Sequence, residues 1–158
     1  MSAKYLKWFL WQLAHANFLL AISTAGAVYV VGILLGLPTD LTPAIILFLV
    51  TFAVYNFNRH TDKGEDIVNH PQRVRFIAKY GRLLVILSII AYLSGIVLSL
   101  DGGTGAQIIV LLPLIALLLY SLPWLPKNGS STKRLKELFI IKNLIVSLAW
   151  GGTVTFLP

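Results

Sequence analysis

Apolar positions in this chain fall into long unbroken blocks, without the alternation of strands or the single stripe of a soluble amphipathic helix. An uncharged run extends from Trp8 to Thr39, and further blocks cover Ala44–Phe57, Leu83–Leu100, Ala106–Leu122 and Leu138–Phe156, the last carrying Lys142 near its start. A helix needs about 20 mainly apolar residues to cross the hydrocarbon core of a bilayer. The pattern therefore predicts an all-α, polytopic transmembrane bundle of about five spans forming a single domain over 1–158. The spans are expected near 10–36, 44–58, 83–100, 106–122 and 138–156. The first run is too long for a signal-peptide core, although Ala25-Gly26-Ala27 resembles a cleavage site, and a retained span is expected. Pro38–Pro43 and Asp101–Gly105 read as tight turns. Pro113 is expected to kink the fourth span, and Asn69-His70-Pro71 to break the helix that leaves the second. The longer polar stretches are 59–82 and 123–137, and Thr132–Glu137 reads as a basic, partly helical surface segment.

Composition agrees with these blocks. The 158 residues are 57% hydrophobic and 12% charged, about half the charged share of a soluble globular protein, and the mean hydropathy is +0.81. With no cysteine, disulfides, thiolate catalysis and zinc–thiolate sites are excluded. A net charge of +7 would suggest nucleic acid in a soluble protein. Here its distribution points to a membrane, and no nucleic-acid partner is expected. All thirteen basic residues fall at the N-terminus (Lys4, Lys7), in or beside the stretch after the second span (Arg59, Lys63, Arg73, Arg75, Lys79, Arg82), or around the one after the fourth (Lys127, Lys133, Arg134, Lys136, Lys142). The intervening turns hold only Asp40 and Asp101. Cytoplasmic loops collect Lys and Arg, so the N-terminus and loops 59–82 and 123–137 are expected in the cytoplasm and the C-terminus on the opposite side.

One polar run stands apart. Tyr55–Arg73 holds three of the six carboxylates, two of the three histidines and three of the basic residues. Asn58, Asp62 and Asp66 recur every four residues, so a helix continued through them would align all three on one face. Oxygen ligands beside an arginine suit a hard divalent cation such as Mg²⁺ together with a phosphate ester. Asn58, Asp62 and Asp66 are thus the candidate metal ligands, and Arg73 lies near the same stripe. Arg134, Lys136 and Lys142 offer cations from the second loop. The alternative for the basic residues is that they merely hold the loops in the anionic interface; positive-inside bias explains acidic residues less well.

Asn58-Arg59-His60-Thr61-Asp62-Lys63-Gly64-Glu65-Asp66 resembles the first aspartate-rich motif, N-x-x-x-D-x-x-x-D, of the UbiA family of intramembrane prenyltransferases, which carry it at the cytoplasmic end of their second helix. Asn69-His70-Pro71-Gln72-Arg73 is similar to the family's continuation. Tyr120-Ser121, Lys133-Arg134-Leu135-Lys136 and Lys142-Asn143 resemble the stretch between its fourth and fifth helices. The resemblance implies that Asp62 and Asp66 are the catalytic carboxylates and bind Mg²⁺ with help from Asn58. It implies that Arg73, Arg134, Lys136 and Lys142 hold an isoprenoid diphosphate whose tail lies among the apolar helices. Family members ionise that diphosphate and transfer the allylic cation to a lipophilic acceptor. The family also has nine helices and a second aspartate-rich motif after the sixth, whereas no second D-x-x-x-D follows in this sequence. The resemblance therefore implies a complementary half on another chain, a fragment, or a descendant that kept the shape without catalysis. The last would be a small subunit packed against a larger membrane complex.

Lesser features complete the reading. His15 and Asn17 fall inside the first predicted span and are expected to hydrogen-bond between helices, the alternative being a role in the pocket. Trp8, Trp11 and Trp124 are expected as interfacial belt residues. Gly26, Gly32, Gly36 and Gly151-Gly152 are expected to permit close packing. His60 and His70 are not expected to be ligands.

Overall fold

The computed structural model of the chain describes residues 3–38, 40–61, 71–122, 125–126, 132–133 and 139–158. Among them are α1 (Ala3–His15), α2 (Phe18–Leu34), α3 (Thr42–Thr61), α4 (Pro71–Leu98), α5 (Gly103–Ser121), β1 (Leu125–Pro126), β2 (Thr132–Lys133) and α6 (Phe139–Phe156). Among the described residues, every regular element is a helix apart from this pair of two-residue strands. β1 and β2 pair antiparallel, Leu125 opposite Lys133, so the segment expected to be partly helical begins as a strand. Pro71 stands at the first position of α4, where its missing N–H costs nothing. It therefore starts this helix, twelve residues ahead of the expected third span, and α5 continues through Pro113.

The expected continuous span over 10–36 is two helices meeting at 70°. The break is at Asn17, whose φ of 63° and ψ of 13° are left-handed. A right-handed helix cannot pass through that conformation, and asparagine tolerates it better than most residues. The break would strand polar backbone, and α3 satisfies it. The Asn17 amide donates to Asn56 Oδ1 at 3.0 Å, while Asn56 Nδ2 donates to the Ala16 carbonyl at 3.1 Å and to the Phe52 carbonyl at 2.8 Å. Arg59 donates from its guanidinium to the His15 carbonyl, closing the C-terminal end of α1. The expected helix–helix hydrogen bond of Asn17 is thus found. The His15 ring bonds within its own helix, to the Trp11 carbonyl at 2.8 Å, and stacks on Trp11.

α3 is the central helix. Leu47, Val50, Thr51, Ala53 and Asn56 are buried along it, between α2, α4 and α5, while α6 packs on α5 and α2. Thr24 on α2 and Thr51 on α3 share a hydrogen bond of 2.8 Å, and Tyr92 on α4 donates to the Val110 carbonyl of α5 at 2.9 Å. α3 and α4 approach each other closely at Gly95, where a Cβ would meet Val50 Cγ2 at 3.3 Å and Leu49 Cβ at 3.8 Å. Of the glycines expected to serve packing, Gly26 and Gly151 face open space, a Cβ on either meeting nothing within 4 Å, while one at Gly32 would meet Pro158 at 3.6 Å and one at Gly152 would meet Leu112 at 3.8 Å. Gly36 instead ends α2 at a φ of 67°, with Gly36 N–H bonded to the Ile33 carbonyl and Leu37 N–H to the Gly32 carbonyl, the Schellman pattern. Gly95→Leu is therefore expected to cost about 1–3 kcal/mol through overpacking. Gly26→Ala should be neutral or stabilising by up to about 1 kcal/mol. Reversible denaturation in detergent checks both, and equal effects would contradict this account of the α3–α4 contact.

Asp40 accepts from the Thr42 N–H and hydroxyl, both at 2.9 Å, at the start of α3. These bonds hold its carboxyl below the usual carboxylate range. The cap is thus in place at neutral pH and is lost only as pH falls through that lowered value.

The outside of the bundle is apolar. Ile22, Val30 and Ile33 on α2, Ile90, Leu93 and Val97 on α4, Ile108 and Ile115 on α5, and Ile140, Leu144 and Leu148 on α6 are all exposed. By length and composition, α4 (Gln72–Leu98) can cross a membrane, and the bent pair α1–α2 passes the same criterion when taken together. Gly103–Leu119 and Asn143–Phe156 are shorter apolar helices.

Candidate functional site

The C-terminal end of α3 and the N-terminal end of α4 lie at the same end of the bundle. Arg59 reaches the α1–α2 elbow there, and Phe76 meets Trp11 edge-on at 5.8 Å. Asn58 and Arg73, both half-buried, are thus brought to one end. Asp40 and Asp101 flank the opposite ends of these helices, as expected. Lys142 is on the first turn of α6. Trp150, two turns further along, stacks on Tyr55 with ring centroids 5.5 Å apart, so the backbone at 142 lies toward the Asn58 end. Asp62, Asp66, Arg134 and Lys136 lie outside the described residues, as does the continuation of the Asn58 ladder.

Beside Asn58 is a cavity of about 220 Å³ between α3, α5 and α6, walled by Tyr55 and Asn58, by Pro113 and Ala116, and by Ala149 and Trp150. Its origin is local. Tyr55 precedes Asn58 by three residues and so shares its helix face, and small alanines on the two facing helices leave the space open. A mostly apolar chamber with one amide on its wall and two stacked aromatic rings suits an apolar ligand with a polar end. Aromatic faces can also stabilise a cation. Ser121, at the end of α5, is buried, and its hydroxyl has no hydrogen-bond partner among the described residues. Among the same residues no three His, Cys, Asp or Glu side chains gather in one place.

Sequence reasoning missed three of these features. Tyr55 was within reach, being one turn before the polar ladder. Trp150 lies in a largely apolar block, between Ala149 and the Gly151-Gly152 pair, and nothing there marks it as a site residue. The use of Arg59 as a backbone cap depends on the elbow, which no hydropathy pattern reveals.

The fold thus defines an all-helical bundle with an apolar exterior and an internal chamber at the end where the polar ladder begins. Set against known families, curated proteins and solved structures, the chain matches no family model, no curated protein and no solved structure.

Proposed function

We propose that this chain is a UbiA-like intramembrane protein, the counterpart of that family's N-terminal half, which binds an isoprenoid diphosphate with Mg²⁺ at the cytoplasmic end of a five-span bundle. The observation that carries this reading is Asn58. It is the first residue of the N-x-x-x-D-x-x-x-D pattern and stands on the wall of the one described chamber that combines apolar helices with stacked aromatic rings. In this arrangement α1 lies in the interface, because a helix bent 70° from a span runs near the membrane plane.

Asn58, Asp62 and Asp66 form a donor set of hard oxygens that fits Mg²⁺, and they would hold it. Bound there, the ion supplies neutralising charge to the diphosphate. Arg73, Arg134, Lys136 and Lys142 add cationic hydrogen-bond donors for the phosphate oxygens. The chamber takes the prenyl tail and keeps water from its allylic carbon. In transfer, the allylic C–O bond breaks and its electron pair leaves with the diphosphate. The allylic carbon then bonds to a nucleophilic carbon or oxygen of a lipophilic acceptor, which gives up a proton. Tyr55 and Trp150 line the space where the positive charge develops and can stabilise it through their ring faces.

Filling the chamber tests the reading. Ala149→Phe is expected to lower prenyl diphosphate binding at least about tenfold, one poorly accommodated ring being worth more than 1.4 kcal/mol, with helicity retained by circular dichroism. Unchanged binding in a folded variant would refute it.

The missing second aspartate-rich motif favours a second reading, a non-catalytic UbiA-derived subunit of a larger membrane complex. The outward face of α6, with Ile140 79% and Leu148 66% exposed, offers such a partner a large apolar surface. Purification from native membrane would then bring a stoichiometric companion, and a solitary chain active in prenyl transfer would exclude this alternative.

A further inference from the structure

We propose that the groove between α1 and α4 is a binding site for one anionic phospholipid, a site separate from the chamber beside Asn58. The elbow at Asn17 turns α1 across the N-terminal part of α4 and leaves a groove of about 180 Å³ walled by Leu13, Ala16, Phe76, Tyr80 and Leu83. The lining residues on α4 recur at i, i+4 and i+7, so they form one stripe. Arg75, Lys79 and Arg82 each precede a member of that stripe by one residue and form a parallel, exposed stripe about 100° around the helix. The two stripes meet at Lys79, whose ammonium lies 5.0 Å from the Tyr80 ring centroid. α1 adds Lys4 and Lys7, and no carboxylate on either helix offsets these cations.

An apolar trough edged on one side by cations matches an amphiphilic anion. A neutral lipid would leave the cationic rim without a role, and a free phosphate would leave the trough without one. A phospholipid of the anionic leaflet fits both, its acyl chain against Phe76 and Tyr80 and its phosphate beside Arg75, Lys79 and Arg82. Generic attraction of basic loops to anionic membrane would be non-saturable, whereas this groove takes a single molecule. The proposal rests on the membrane-embedded part of the reading above and is independent of diphosphate binding.

Native mass spectrometry of the full chain, titrated in detergent with phosphatidylglycerol or phosphatidylcholine, tests it. The expected result is saturable retention of one phosphatidylglycerol, with phosphatidylcholine about tenfold weaker or more. Arg75→Gln, Lys79→Gln and Arg82→Gln together should erase the preference. Leu83→Trp should displace both lipids, and Leu13→Gln serves should that variant fail to fold. Equal retention of the two lipids, a preference that survives the triple substitution, or full competition by inorganic phosphate would each overturn the proposal. Failure of the unmodified chain to bind a prenyl diphosphate, with phosphatidylglycerol retention intact, would count only against the Proposed function. Release of the chain from membranes by alkaline carbonate would count against the embedded reading itself.

Discussion

Asp62→Ala and Asp66→Ala are each expected to weaken Mg²⁺-dependent binding of a prenyl diphosphate by about 100-fold, the upper end of what loss of even an outer-shell partner costs a metal site. The argument begins at Asn58, which faces the chamber from the last turn of α3 before Thr61. Asp62 and Asp66 follow at intervals of four, the repeat that keeps side chains on one helix face. A diphosphate brings several negative charges, and carboxylates alone would repel it, so the pair makes sense only with a cation between. Chelation of Mg²⁺ should therefore cost the unmodified chain as much affinity as either substitution, and chelation should add little to the loss in the variants. Asp40→Ala and Asp101→Ala, at the opposite end, should leave binding unchanged. Isothermal titration in detergent, with and without chelator, provides the measurement. Binding within a few-fold of the unmodified chain in the double variant would remove the metal role and leave the chamber without its proposed ligand.

Asn56→Ala should destabilise the fold by about 1–3 kcal/mol. Asn56 is 4% exposed and serves three partners at once: the Asn17 amide and the carbonyls of Ala16 and Phe52. Stranding a buried polar group costs about 1–3 kcal/mol. Side-chain hydrogen bonds between membrane helices average only about 0.6 kcal/mol, because the unfolded chain in the bilayer finds other partners. The higher range applies here because Ala16 lies at a helix break, where Asn56 takes the place of the interrupted helical ladder. Asn17→Gly should cost less than Asn17→Ala, since glycine adopts the left-handed conformation freely while alanine loses both the bond and the backbone preference. A reversible unfolding series in mixed micelles orders the three variants. Equal stability of Asn56→Ala and the unmodified chain would mean that the elbow is held by something other than this amide pair.

Where the hydropathy of the chain is uniform, the helices follow it. α3, α5 and α6 lie within a few residues of the expected blocks, because a long apolar segment satisfies its backbone only by coiling, whatever surrounds it. Prediction fails where one residue's backbone or one contact decides. Asn17 breaks a block that hydropathy reads as continuous, and the partner that makes the break tolerable, Asn56, is 39 residues away. Gly95 allows α3 and α4 to approach, while the glycines that catch the eye at 26 and 151 face open space, since a glycine in sequence does not say which helix passes it. The chamber has the same character. Asn58 was legible through its four-residue spacing from the aspartates, but Tyr55 and Trp150 become neighbours only when α3 and α6 are packed.

From the chain alone come an all-helical architecture, the concentration of positive charge into three segments, and the oxygen ladder that begins at Asn58, because composition and spacing are local quantities. Tertiary structure alone decides the bend that turns α1 aside, the stacking of Tyr55 on Trp150 around a chamber, and the trough between α1 and α4. Each of these depends on which distant side chain satisfies a polar group or leaves a space unfilled, and pairwise distance through space is not written in the order of residues along a chain.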